Sequence, residues 1–253
     1  MKDYSKFWDA VYVVNLDFRQ DRWEEIQKYA KAADLNLQRW DATKAADIVI
    51  ERDRIGIRVK KQSCIACWSS HVKIYRDALE KDYNRILVLE DDALIPSDLY
   101  EQVDEWFIKT GLKDFDLVYL GSADKYPSAP IGDSIALSQY TLLTHAMLFT
   151  REGMQKVIDI VDTKDEGKCS MSIDVFLAEH IQPQNKTYQA VPSIIKTISS
   201  YSDIAGWKRN WEENLRSCKT QGLKNPKKWK HFEDRAKTVK PGNPINTTAK
   251  QLF

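Results

Sequence analysis

The sequence has almost no net charge, little cysteine and no long apolar run. Its 253 residues carry a formal net charge of +1, which argues against a general nucleic-acid binder because such proteins usually have a large basic excess. No run approaches the roughly 20 apolar residues of a transmembrane helix, and the first residues lack the apolar core of a signal peptide. We therefore expect a cytoplasmic protein without a nucleic-acid partner.

The four cysteines do not form a complete metal or redox motif. Cys64 and Cys67 have the spacing of half a zinc or redox site, but no second pair with this spacing follows, and Cys169 and Cys218 are isolated. We interpret Cys64 and Cys67 as small buried residues on a helix, in a reducing compartment.

Internal repeats and low-complexity segments are also absent, and apolar strand patterns alternate with helical patterns. This alternation predicts an α/β fold with a mainly parallel sheet flanked by helices, in one domain over residues 1–205. The predicted strands are residues 10–16, 37–42, 85–89, 115–121, 140–150 and 188–192. The predicted helices are residues 21–33, 63–81, 98–107, 151–161 and 172–180, with a hairpin or lid at 51–61 and loops at 123–133 and 163–168.

The most informative stretch is an apolar strand that ends in three consecutive carboxylates. Arg85–Leu89 reads as a strand buried on both faces, and Glu90, Asp91 and Asp92 follow it directly. Carboxylates at the carboxyl end of a parallel strand can hold a hard divalent cation and the oxygens of a phosphate. The alternative is a strand that stops at a solvated acidic turn.

A second polar cluster follows the first predicted strand. Arg19 and Arg22 stand three residues apart and can face one phosphate together, since each guanidinium offers a planar fork of donors. Asp21 can cap the helix that follows. The alternative is that the two arginines pair with Asp17 and Asp21.

The last part of the chain, residues 206–253, is strongly basic. Between positions 207 and 240 there are eleven lysines or arginines against four acids, with tryptophans interleaved. The plain interpretation is a solvated, helical extension whose tryptophans pack on the main domain. The alternative is a peripheral contact with an anionic membrane or acceptor, because cationic residues and tryptophan favour such surfaces.

Taken together, several short motifs resemble those of glycosyltransferase family 25, which includes bacterial lipooligosaccharide galactosyltransferases and procollagen galactosyltransferases. The motifs occur in the family's order from about residue 10 to residue 205. They are N-L-x-x-R-x-D-R at Asn15–Arg22, C-x-x-S-H at Cys67–His71, L-V-L-E-D-D at Leu87–Asp92, a small-residue strand at Thr144–Leu148, and markers at Ile173-Asp174, Val191-Pro192 and Ser202–Ile204. The family's helix motif is G-C-x-x-S-H. Aligned on Cys64, it has Ser63 in place of the glycine and two extra residues before Ser70, whereas alignment on Cys67 gives C-x-x-S-H without a gap.

The resemblance implies a GT-A-like (Rossmann-like) fold and an inverting, metal-dependent transfer of a hexose. The donor is expected to be a UDP-sugar, commonly UDP-galactose, the cofactor manganese, and the acceptor a glycan, glycolipid or protein hydroxyl. Because side chains two apart on a strand share a face, Asp92 and Glu90 are the expected metal ligands. The expected donor-binding residues are Asn15, Leu16, Arg19, Arg22, Ser70, His71 and Asp91.

Inversion requires one general base to accept the proton of the attacking hydroxyl. Asp174 is the candidate, since it begins a predicted helix after a polar loop and matches a family marker; its alternative role is a helix N-cap. His145 is a further donor-site or metal-site candidate. Two other functions stay open at this point: metal-dependent nucleotidyl transfer, which would normally show a glycine-rich loop near the first strand, and non-catalytic nucleotide-sugar binding.

Overall fold

The protein is described from a computed structural model. It describes residues 2–48, 62–124, 129–138, 140–163, 172–183, 186–197, 201–202 and 207–208. The helices are α1 (Gln20–Ala32), α2 (Gln62–Glu80), α3 (Leu99–Thr110), α4 (Arg151–Thr163) and α5 (Ile173–Phe176), which continues as a wider turn over Leu177–Ile181. The strands are β1 (Ala10–Asn15), β2 (Gln38–Asp41), β3 (Arg85–Glu90), β4 (Ala93–Leu94), β5 (Leu117–Asp124), β6 (Ala129–Gly132), β7 (Ile135–Leu137), β8 (Thr141–Thr150), β9 (Thr187–Ala190), β10 (Lys196–Thr197), β11 (Tyr201–Ser202) and β12 (Trp207–Lys208).

Eight of these strands form one mixed sheet in the order β2-β1-β3-β8-β5-β9-β7-β6. Strands β2, β1 and β3 are mutually parallel, and β5 is parallel to β9. Strand β8 runs antiparallel between β3 and β5. Apart from β8 and β7, the strands of this sheet all point the same way, so the predicted α/β fold with a mainly parallel sheet is confirmed.

The sheet lies between two layers of helices. Helices α1 and α3 pack on one face together with the aromatic side chains of Tyr4, Phe7 and Trp8. Helices α2, α4 and α5 pack on the other face. The apolar alternation of β3 explains why both faces are covered: Leu87 and Leu89 join the first layer, Ile86 and Val88 join the second, and none of the four is exposed.

The register of the central strands brings two polar segments together. Val14 of β1 lies beside Glu90 of β3, so both strands end at the same edge of the sheet. Asn15, the last residue of β1, lies beside Asp41 at the end of β2. Carboxyl ends of parallel strands are the usual ligand-binding edge of an open α/β sheet, and the acidic residues stand at that edge.

Two of the local predictions are wrong. The segment predicted as a loop at 123–133 contains the end of β5 and strand β6, which forms a hairpin with β7 at the margin of the sheet. Pro130 suggested a loop, but proline is tolerated in an edge strand because the outer side of its backbone needs no partner. Asp21 does not cap α1: Arg19 precedes the first helical residue, and Asp21 lies within the first turn.

Other predictions fall on residues outside the described ranges. They are the hairpin or lid at 51–61, most of the polar loop at 163–168, and nearly all of the basic extension at 206–253, of which only residues 207 and 208 are described. The division of the chain at residue 205 and the membrane contact therefore stay predictions. Within the described residues, no helix combines the length and the apolar character required to span a bilayer.

Candidate active site

A cleft of about 560 Å³ opens at the carboxyl ends of β1 and β3. Its walls come from six parts of the chain: the end of β1 with the segment after it, the turn after β2, the first turns of α2, the end of β3, part of β8, and the start of α5. The predicted site residues that line it are Leu16, Arg22, Ser70, Glu90, Asp91, Asp92 and Asp174. Residues separated by about 150 positions in sequence thus meet in one cavity.

Asp91 is held by two predicted donor-site residues. One of its carboxylate oxygens accepts a hydrogen bond from Arg22 Nη1 at 2.6 Å, and the other accepts one from Asn15 Nδ2 at 2.7 Å. The Arg22 and Asp91 side chains are each only 10% exposed. Arg39 completes the network, since its guanidinium donates to Asn15 Oδ1 from two nitrogens at 2.6 and 2.9 Å. The charge of Asp91 is therefore balanced by an arginine.

Glu90 and Asp92 lie in a different electrostatic setting, since the charge of Arg22 acts on Asp92 but is outweighed by burial and by the charge of Asp91. Glu90 accepts a hydrogen bond from the Thr144 hydroxyl. Asp92 is buried, and its Oδ1 has no hydrogen-bond partner within the described structure. Asp92 lies beyond the end of β3, so the expected alternation along a strand does not apply to it; the turn nevertheless brings both carboxylates to the cleft.

Burial and the neighbouring carboxylates raise the pKa values of both side chains. Burial, followed by the charge of Asp92, raises the pKa of Glu90 from 4.5 to about 8. Burial, followed by the charge of Asp91, raises the pKa of Asp92 from 3.8 to about 6. Asp92 is buried and Glu90 is half-buried. A divalent cation would favour the ionised form of both carboxylates, because its charge offsets the cost of burial and of their mutual repulsion.

His71 lies behind Glu90 and is not on the cleft wall. Its Nε2 is 3.9 Å from Glu90 Oε1, and the side chain is fully buried. Neither ring nitrogen has a hydrogen-bond partner among the described residues. Burial lowers the pKa of His71 to about 4, so the imidazole is neutral at pH 7. Cys67 Sγ, His71 and Glu90 offer ligand atoms that all lie within 4.8 Å of one another.

Asp174 also lines the cleft, from the short helix α5, and its charge contributes to the raised pKa of Glu90. Ser172 occupies the N-cap position, so the alternative role of Asp174 as a helix N-cap is wrong. Its Oδ1 accepts a hydrogen bond from the backbone N–H of Val175 at 2.8 Å. The side chain is half-buried and lines the cleft, which leaves a carboxylate available to a bound molecule.

The remaining predicted residues differ in how they reach the cleft. Ser70 is buried at its wall, where its hydroxyl donates to Ala66 O and accepts from the Thr43 N–H, each at 2.8 Å. Arg19 does not face the cleft with Arg22, because its guanidinium forms a paired contact with the exposed carboxylate of Asp21. His145 is buried away from the cleft, with Nε2 3.2 Å from the carbonyl oxygen of Ile195.

Several residues of the site were not predicted. Cys64 and Cys67, interpreted as buried, are half-buried and line the cleft. Three others contribute contacts or exposed surface. Thr144 supports Glu90, Arg39 supports Asn15, and Phe18 lines the cleft with 62% of its surface exposed. Thr144 stands in the small-residue motif of β8, which was a usable signal. Phe18 stands inside the first motif, but an exposed aromatic cannot be distinguished from a core residue by sequence pattern alone.

The pH dependence of the melting temperature should reveal the raised pKa of Glu90. Because folding raises its pKa, the ionised form destabilises the fold: the cost is absent below about pH 4.5 and is complete above about pH 8. The melting temperature of the metal-free wild-type protein should therefore fall across this range relative to that of Glu90→Gln. Parallel thermal unfolding curves at several pH values test this; equal slopes for the two proteins would contradict the raised pKa.

The sequence comparisons agree with these motifs. The family model described as "Glycosyltransferase family 25 (LPS biosynthesis protein)" matches residues 9–177. Procollagen galactosyltransferase 2 of Homo sapiens is 22% identical over 171 residues, and that of Mus musculus is 23% identical. Each match covers 60% of this chain and 27% of the relative, so the chain spans about a quarter of the length of these curated relatives.

Among solved structures, the chain is similar to a glycosyltransferase involved in the glycosylation of the major capsid of PBCV-1. The two are 11% identical, with a TM-score of 0.45, and the match covers 82% of this chain and 98% of that one.

Proposed function

The chain belongs to glycosyltransferase family 25, and from that premise we propose that it transfers a hexose, galactose in the first instance, from a UDP-sugar to a hydroxyl group of a glycan, glycolipid or protein, with inversion. Its mainly parallel sheet flanked by helices confirms the predicted GT-A-like fold. The observation that carries the proposal is the one cleft that is lined both by Glu90 and Asp92 at the end of β3 and by Asp174 at the start of α5.

The proposed metal ligands are Asp92 and Glu90, with manganese as the expected ion. Two observations support the fit. One Asp92 oxygen is buried without a hydrogen-bond partner among the described residues, and the pKa values of both carboxyl groups are raised. Oxygen ligands suit manganese or magnesium. When bound, such an ion would neutralise negative charge on the diphosphate leaving group.

The proposed donor site follows the segment after β1. Leu16 and Arg22 line the cleft, and Asn15 and Asp91 form the hydrogen-bonded base beneath them. Each Asp91 oxygen accepts one bond and retains a further lone pair for a ribose hydroxyl. Phe18 offers an exposed ring on which a nucleobase can stack, a contact usually worth about 1–3 kcal/mol.

Ser70 lies in the same wall, but its hydroxyl is already hydrogen-bonded to the backbone of α2 and of the turn after β2. We assign it to shaping the donor site. His71 is screened from the cleft by Glu90, and Arg19 is paired at the surface with Asp21. Neither is assigned a direct contact with the donor in this proposal.

Asp174 is the proposed general base. Its carboxylate accepts the proton of the acceptor hydroxyl as that oxygen forms a bond to the anomeric carbon of the sugar. The bond from that carbon to the diphosphate oxygen breaks on the opposite face, and UDP leaves with the electron pair. A single displacement of this kind inverts the anomeric carbon and needs only one carboxylate in addition to stabilisation of the leaving group.

A donor screen tests the proposal directly. Thermal unfolding is measured with several nucleotide sugars, each with and without manganese. A donor at a hundred times its dissociation constant stabilises a protein by about 2.7 kcal/mol, so one UDP-sugar should raise the melting temperature clearly, and only in the presence of the metal.

Two results of the same screen would contradict the proposal. A shift with nucleoside triphosphates and none with UDP-sugars would indicate nucleotidyl transfer. A metal-dependent shift with a UDP-sugar, but no slow release of UDP in its presence and no transfer to any member of an acceptor panel, would indicate a non-catalytic binding domain. Mass spectrometry of the acceptors separates these outcomes.

A further inference from the structure

Cys67, His71 and Glu90 form a cluster beside the cleft. It combines three types of metal ligand that a hard cation such as Mg²⁺ does not use together. Cys67 offers a sulfur atom, His71 a ring nitrogen and Glu90 a carboxylate oxygen, all within 4.8 Å of one another. Cys67 and His71 stand four residues apart on α2, so they project from the same face of the helix. Glu90 reaches them from the end of β3.

His71 has an unused capacity to bind something at this position. Its side chain is not exposed, and both ring nitrogens lack a hydrogen-bond partner among the described residues. A buried polar atom without a partner costs free energy, and neutral imidazole with an available lone pair is a common metal ligand. Cys67 is a free thiol in the same place.

The separation of the nitrogen and oxygen ligand atoms is close to that of a tetrahedral zinc site. Zinc binds nitrogen and oxygen at about 2.0–2.2 Å, so two such ligands lie about 3.4 Å apart around one ion. The separation of His71 Nε2 and Glu90 Oε1 is 3.9 Å, and a small side-chain movement closes the difference.

We propose that Cys67, His71 and Glu90 form a binding site for a thiophilic divalent metal ion of the zinc type, distinct in ligand preference from the oxygen site at Asp92. Cys67 and Glu90 line the cleft, so the fourth coordination position faces the space where substrates are expected. Three protein ligands with one open position are typical of zinc sites that contact substrates. Because Glu90 belongs to both sites, it serves one ion at a time.

Cobalt provides a readout that does not depend on sugar transfer. Co²⁺ replaces Zn²⁺ in such sites, and a thiolate ligand gives it a charge-transfer absorption band. Titration of the reduced full-length protein with Co²⁺, without any nucleotide sugar, should produce this band with one ion per chain. An equimolar amount of Zn²⁺ should remove it, because zinc competes for the same sulfur, nitrogen and oxygen ligands.

Two serine variants make the assignment specific. Cys67→Ser should abolish the band and weaken zinc binding at least about tenfold, because even the loss of an outer-shell partner of a metal ligand costs about tenfold or more. Cys64→Ser is the matched control, because Cys64 lies one turn earlier on α2 and also lines the cleft but is outside the group. It should keep the band and the affinity.

Glu90→Gln gives a second test if Cys67→Ser does not fold, as judged by circular dichroism. It should keep a thiolate band of altered shape and bind zinc at least about tenfold more weakly. The proposal is overturned by the absence of a band in the wild-type protein, by a band that survives in Cys67→Ser, or by failure of Zn²⁺ to remove the band. All three outcomes are independent of whether the protein transfers sugar.

Discussion

Replacing Asp92 with asparagine should lower kcat/KM for sugar transfer by about a thousandfold while the fold stays intact. Asp92 has a buried carboxylate oxygen without a partner among the described residues, at the edge of the cleft. Asparagine keeps the shape of the side chain but removes the charge that would hold the cation. Loss of one group that stabilises charge in a transition state commonly costs a factor of about 10²–10³, and loss of the metal as well places the effect at the upper end.

The same substitution should not destabilise the metal-free protein. Burial raises the pKa of Asp92, so at neutral pH its ionised form opposes folding, and removal of the charge relieves that cost. The melting temperature of metal-free Asp92→Asn at pH 7 should equal or exceed that of the wild-type protein. A residue that lowers stability while it supports turnover is the pattern expected of a functional site.

Asp98→Asn is the control for both measurements. Asp98 precedes α3 and is exposed, with its carboxylate bonded to Gln102 at 2.8 Å, and it does not line the cleft. It should retain wild-type activity. Near-normal activity of Asp92→Asn in the presence of a chelator would show that the metal site has been assigned wrongly.

Replacing Asp174 with asparagine should lower kcat by about two to four orders of magnitude, the usual contribution of a general base. The dissociation constant of the donor should change little, because Asp174 belongs to α5 and not to the proposed donor-binding segment after β1. Steady-state kinetics with a saturating acceptor measure kcat, and the thermal shift with the donor measures binding. The two readouts separate a chemical role from a structural one.

Glu179→Gln is the matched control for Asp174. Glu179 lies in the same helical segment, but its carboxylate is exposed and accepts a hydrogen bond from the Tyr140 hydroxyl at 2.7 Å. Its replacement should leave kcat within about twofold of the wild-type value. If Asp174→Asn instead lost donor affinity and rate to the same extent, its main role would be to hold α5 in place.

Most of the fold was predictable because the sequence patterns of its strands and helices are local. The run from Ile86 to Leu89 is fully buried as its composition indicates, and α2 and α4 begin and end within two residues of their predicted bounds. The hairpin of β6 and β7 was missed because Pro130 and Gly132 indicate a loop when no neighbouring strand is known. Sheet margins depend on partners that the local pattern does not specify.

The site was predictable only as a set of residues, without their pairing. The short motifs located Asn15, Arg22 and the three acids, but the sequence could not indicate that Arg22 pairs with Asp91, 69 positions away. It likewise suggested that Arg19 shares the role of Arg22, although the local contact of Arg19 with Asp21 removes it. Contacts between strand ends depend on the order and register of the sheet, which are properties of the whole chain.

The ion pair of Arg22 with Asp91 also has a consequence for electroneutrality. It cancels one of the three adjacent negative charges, so Glu90 and Asp92 present a charge of −2 when ionised, which one divalent ion balances. Loss of Arg22 alone would leave a third buried charge, and loss of Asp91 alone would leave a buried cation beside the ion, and either change is costly. We therefore expect the two positions to covary in homologous chains, with both retained or both replaced by neutral residues.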